Sequence, residues 1–167
     1  MKEGAELGAL PLAMGGLEPA RAETVGWLRP LPDGRVFLCL ASEEVILTNC
    51  GRPARLTMPA ADLSLLASGR APLLIDHLGA LEFLAGVVEE AWIEAGQLYA
   101  HARLARTSRM GEVRALVADG ILRNCSVASL LSLSASPDSQ GVHSVTSWRP
   151  YEASLATVPR GWVERRR

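Results

Sequence analysis

Thr107-Ser108-Arg109-Met110-Gly111-Glu112-Val113-Arg114-Ala115-Leu116-Val117-Ala118-Asp119-Gly120 reads as one short helix, and the apolar runs on both sides of it read as strands. Met110, Val113, Leu116 and Val117 recur at helical spacing, so one face is apolar. The hydroxyl of Thr107 or Ser108 is suited to cap the first turn, and Glu112 falls near the positive end of the helix dipole. Asp119-Gly120 marks the stop, because glycine adopts the left-handed cap at little cost.

Upstream of this helix, residues 85–93 and 96–104 are strand candidates joined by a turn near Glu94-Ala95-Gly96. Downstream lie two further apolar runs, 125–133 and 142–158, divided by the loop Ser134-Ala135-Ser136-Pro137-Asp138-Ser139-Gln140-Gly141. Nearer the N-terminus, Thr24-Val25-Gly26-Trp27-Leu28 and Arg35-Val36-Phe37-Leu38-Cys39-Leu40 flank Asp33-Gly34, a hairpin signal. Ala71-Pro72-Leu73-Leu74-Ile75 reads as a buried strand that runs directly into Asp76-His77. Residues 47–70 are less legible; within them, 58–67 fits a short helix with Gly69 just past its end. The sum is a strand-rich α+β domain whose strands are joined mostly by short turns. No internal repeat or second domain is visible.

Composition sets further bounds. A chain of 167 residues, 49% apolar and 21% charged, is one ordinary globular domain. A net charge of -1 carries no footprint for nucleic acid. Three cysteines without metal-ligand spacing suit a reduced, cytosolic protein and no metal site. No apolar run reaches the roughly 18 residues of a membrane helix, and the acidic N-terminus is unlike a signal peptide. Residues 1–22, rich in Gly, Ala, Pro and Glu, read as a flexible leader, 23–162 as the single domain, and 163–167 as a basic tail.

Chemistry-bearing residues are few. Of the three histidines, His77 stands where an apolar strand meets the surface, a favourable place for a general base and equally for a satisfied surface histidine. His101 alternates with Tyr99 and Arg103 on one sheet face, and His143 falls in a turn-to-strand segment. Ser126 lies where a helix gives way to a strand. There it either presents a nucleophilic hydroxyl beside backbone N–H groups or bonds locally as an ordinary strand serine. Period-2 alternation sends Cys125 and Ser126 to opposite faces, so at most one of them can meet His77.

Three stretches in order resemble the prohead maturation proteases of tailed bacteriophages, whose fold is related to herpesvirus assemblin. They are Pro72-Leu73-Leu74-Ile75-Asp76-His77, the passage from Leu98 through the helix to Asp119-Gly120-Ile121-Leu122-Arg123-Asn124-Cys125-Ser126-Val127, and the passage from Val145 to Pro159 that contains Glu152-Ala153-Ser154-Leu155. The likeness covers roughly residues 70–160. The chain departs from the family pattern at Ala128, where glycine is usual, at Cys125, and at Leu78.

The resemblance implies a fold and a function. The expected fold is an assemblin-like β-barrel, or a strongly curved antiparallel sheet, with a few packed helices. The expected activity is a serine endopeptidase with Ser126 as nucleophile, His77 as general base and Glu152 as the third member, His143 being the rival for that role. Arg123 is a candidate to assist the oxyanion through water. No cofactor is implied. The implied partners are the phage capsid protein and its scaffold segment as peptide substrate, with homo-oligomerisation an open option and no role for nucleic acid or membrane. The implied location is the bacterial host cytoplasm, inside the assembling procapsid. A different class stays open: a catalytically inactive capsid-assembly scaffold protein of the same fold. A small-molecule hydrolase is disfavoured, because no G-x-S-x-G elbow is present.

Overall fold

The structure is a computed structural model and describes residues 20–158. Ten strands and one helix follow in order: β1 (Ala20–Glu23), β2 (Gly26–Pro30), β3 (Arg35–Ser42), β4 (Val45–Leu47), β5 (Pro53–Arg55), β6 (Pro72–Ile75), β7 (Leu84–Glu94), β8 (Gln97–Leu104), α1 (Gly111–Ala118), β9 (Asn124–Leu133) and β10 (His143–Leu155). Alternation builds these strands: in β8, Leu98, Ala100, Ala102 and Leu104 are buried while Tyr99, His101 and Arg103 face outward.

Seven strands close into a barrel in the order β9-β2-β3-β8-β7-β6-β10, sealed by the pairing of β9 with β10. Its interior is filled by Leu38, Leu40, Leu73, Val88, Leu98, Val127, Leu131 and Leu155, all 0–2% exposed. The remaining strands extend from the closing pair. β1 adds antiparallel to β9, β5 adds parallel to the start of β10, and β4 pairs with β5. The strand-rich barrel expected from the sequence is the observed fold.

Some local expectations are corrected. Residues 20–22, read as the end of the leader, belong to β1, because Ala20 and Ala22 alternate into the core against β9. The rest of the expected leader, and the basic tail, lie outside the described residues. Residues 58–67 do not form one helix but two 3₁₀ turns, Met58–Ala60 and Leu66–Ser68. Tertiary bonds take the backbone between them: Asp62 N–H donates to Trp148 O (2.8 Å), and the buried Trp148 indole donates to Thr57 O (3.0 Å). Gly69 does hold the expected left-handed position (φ 73°). Helix α1 starts later than the hydroxyls suggested, at Gly111. Met110 and Gly111 donate to the carbonyls of Thr107 and Ser108 in a lead-in turn, and no side chain caps the end.

Gly26 marks where β2 crosses close over its neighbours. A Cβ there would stand 2.0 Å from Cys39 O and 3.1 Å from Cys125 Sγ. Gly26→Ala therefore forces β2 and β3 apart. It is expected to cost about 1–3 kcal/mol by overpacking, and a thermal melt should show a midpoint lower by at least about 3 °C.

Candidate active site

The pairing of β10 with β9 and with β6 sets three residues in one row. Ser154 lies opposite Ser126 on one side and Leu74 on the other. The neighbouring row is Val127, Ala153 and Leu73, all core residues, so alternation sends Ser126, Ala128, Glu152 and Ser154 to the opposite face. His77 reaches that face just beyond the end of β6.

It does so in a tight turn. Leu78 N–H donates to Ile75 O (3.0 Å), and the two central residues, Asp76 (φ 50°) and His77 (φ 58°), are both left-handed. Asp and His tolerate this region better than most residues, yet each costs about 1 kcal/mol or more there. The turn is held by Asp76 N–H donating to Leu155 O (2.9 Å) and by His77 N–H donating to Ser154 Oγ (2.8 Å). The Asp76 carboxylate also accepts from the Thr157 N–H (2.8 Å) and hydroxyl (2.9 Å).

The imidazole so placed has two different sides. Nδ1 lies 2.5 Å from Glu152 Oε1. A carboxylate only accepts, so Nδ1 carries the proton and, in the neutral ring, Nε2 offers its lone pair. Nε2 is buried and has no hydrogen-bond partner among the described residues; Glu23 Oε2 is 3.8 Å away, beyond hydrogen-bond reach. Ser126 Oγ is likewise buried and unpartnered, and it and His77 line one pocket of about 260 Å³ with Glu23, Asp76, Ala156, Thr157 and Val158. Two orphan buried polar groups at one pocket are the kind of exception that marks a working site. Chemically, a hydroxyl, a neutral imidazole and a carboxylate behind it are the parts of acyl transfer.

A second, larger hollow of about 480 Å³ continues from His77 and Glu23 past Ala128, Tyr151 and Glu152, walled by β1 and by β4. Both walls are outermost strands of the sheet. Burial, with the carboxylates of Glu152 and Glu23 adding to it, pushes the Tyr151 phenol up, while Arg21 opposes the shift.

Other sequence candidates lie elsewhere. Cys125 points into the core, its Sγ 3.1 Å from Trp27 O and 3.4 Å from Cys39 O, as the alternation required. Burial, and secondarily the neighbouring Cys39, pushes its thiol well above the usual range. His143 sits at the other end of β10 with Nδ1 on Ser134 O (2.9 Å). His101 pairs with Glu90 (2.5 Å) beside Phe37 and Trp92 on the outer face. Arg123 is exposed and lines neither hollow. The Val127 N–H, next to Ser126, donates to Thr24 Oγ1 (3.3 Å) and is not free for an oxyanion. Among the described residues, no group of three or more His, Cys, Asp or Glu is placed to hold a metal ion. Sequence reasoning passed over Ser154 and the carboxylate of Asp76. Their one signal was adjacency to Glu152 and His77.

Barrel and site together define a class: a closed β-barrel with a histidine, a carboxylate and a hydroxyl gathered on one face where β6, β9 and β10 lie side by side. The particular likeness is to a solved structure, that of the bacteriophage T4 capsid assembly protease, gp21. It has a TM-score of 0.52 and 13% sequence identity, covering 86% of this chain and 100% of that one. No protein-family model matches the sequence, and no curated protein matches it. The chain thus has the fold of a phage capsid-assembly protease, and the resemblance read from its motifs is matched at the level of fold.

The thiols make a direct check of the geometry around Ser126. Cys50 is exposed, and its hydrogen bond with Thr48 draws its titration down, whereas Cys39 and Cys125 are buried and shifted up. Alkylation of the native protein at neutral pH should modify Cys50 first and leave Cys125 unmodified until denaturant is added, as read by peptide mass mapping.

Proposed function

We propose that this protein is a serine endopeptidase that cleaves capsid and scaffold segments during maturation of a phage prohead, inside the procapsid in the bacterial host cytoplasm. The observation that carries this reading is that His77 Nε2 and Ser126 Oγ are both buried, both without a partner among the described residues, and share one pocket, while Glu152 holds the far nitrogen of the same imidazole. The protease fold supports it at a coarser level.

In the proposed mechanism the Ser126 hydroxyl attacks a peptide carbonyl and His77 Nε2 takes its proton. Glu152 keeps Nδ1 protonated and steadies the imidazolium that forms. His77 then protonates the leaving amine, and a water activated by the same nitrogen releases the acyl group. The 480 Å³ hollow between β1 and β4 is where an extended substrate segment would lie, since it opens directly on His77.

A second reading, an inactive capsid-assembly protein of the same fold, is favoured by the Val127 N–H being engaged by Thr24 rather than turned to the pocket. A serine-directed phosphonate distinguishes the two. Covalent labelling at Ser126, lost in Ser126→Ala with an unchanged melting temperature, is expected; an unlabelled wild-type protein favours the inactive reading. On a scaffold peptide substrate, Ser126→Ala should abolish cleavage and Cys125→Ala should retain it. Glu152→Gln should lower kcat on the order of 10³-fold or more by releasing the tautomer.

A further inference from the structure

Ser154 is fully buried, and its hydroxyl accepts the backbone N–H of His77 at 2.8 Å. It stands opposite Ser126 across the β9–β10 pair, so one side chain lies between the strand that carries the hydroxyl and the turn that carries the imidazole. The turn needs such a hold. Asp76 and His77 are two consecutive non-glycine residues with positive φ, a conformation that relaxes unless its surroundings over-determine it. The Asp76 side of the turn is tied to Thr157 and Leu155; the His77 side is tied by Ser154.

We infer that Ser154 is a positioning residue, whose hydroxyl fixes the left-handed backbone of His77 and thereby sets the imidazole between Glu152 and the Ser126 pocket. Without that acceptor the His77 N–H loses its partner and the turn is free to return to negative φ. The ring then swings away from Glu152 Oε1, and Nε2 leaves the pocket. Ser154 need not touch substrate for this. The kinetic part rests on the proposed role of His77 as general base; the structural part does not.

The test pairs two readouts on the full chain. The first is the proton bridging His77 Nδ1 and Glu152, followed as a downfield imidazole N–H resonance by ¹⁵N-resolved NMR and assigned by its loss in Glu152→Gln. The second is the rate of phosphonate labelling, with kcat and KM on a scaffold peptide. In Ser154→Ala the resonance should broaden or vanish, and labelling rate and kcat should fall about 10- to 100-fold with KM little changed. Ser129→Ala, which removes another buried strand hydroxyl that lines neither hollow, should leave both readouts as in the wild type. Should Ser154→Ala fail to fold, Ser154→Cys fills the same space with a poorer acceptor and is expected to behave alike. An intact resonance with kcat within about twofold of wild type overturns the inference. A wild-type protein that shows the resonance but takes no label overturns the protease reading instead, and the resonance in Ser154→Ala still decides the role of Ser154.

Discussion

The antiparallel pairing of β9 with β10 closes the barrel, and every other feature of the site hangs on its register. Ser126 faces Ser154 and Ala128 faces Glu152 across that pair, while β10 runs parallel to β6 on its other edge with Ser154 beside Leu74. A one-residue slip of β9 would turn Ser126 into the core and bring Cys125 out, and the same slip of β10 would exchange Glu152 for Ala153. The register is secured by what the opposite face buries: Cys125, Val127, Ala153 and Leu155 are all 0% exposed. Apolar packing inside the barrel therefore decides which side chains reach the pocket outside it.

Around His77 the structure departs from comfortable rules in a concentrated way. Two left-handed non-glycine residues, an imidazole nitrogen and a serine hydroxyl without partners among the described residues, and two carboxylates near one ring all gather around this one side chain. Such departures are costly, and in a stable domain they persist where the rest of the fold over-determines them. Here β10 supplies that determination. Glu152 orients the ring, Ser154 holds the turn from below, and Thr157, just past the strand, ties down Asp76. One strand thus sets both the direction of the imidazole and the backbone that carries it.

The barrel strands were legible because the longer ones display their period or an apolar run, and the short β6 is a run of apolar residues. Residues 97–104 alternate cleanly after a turn at Ala95 and Gly96, both with positive φ, and Asp33-Gly34 closes the hairpin of β2 and β3. Residues 47–70 resisted reading for the opposite reason. β4 and β5 are three residues each, too short for a pattern, and the segment after them is shaped by bonds to Trp148, 91 positions beyond Thr57. The late start of α1 has a local cause: carbonyls of Thr107 and Ser108 satisfied the N–H groups that their hydroxyls were expected to cap.

For the site, the sequence by itself determined which residues have the right chemistry and which of two neighbours could show it. Period-2 alternation alone separates Cys125 from Ser126, and the end of an apolar strand alone puts His77 at the boundary of the core. Those are consequences of backbone geometry, which acts over a few residues. Only the tertiary structure decided that Glu152 rather than His143 meets the imidazole, that Nε2 and Ser126 Oγ share a pocket, and that Ser154 underpins His77. These contacts join residues 49 to 77 positions apart through strand register and barrel closure. No local propensity encodes them, because they arise only when packing brings β6, β9 and β10 side by side.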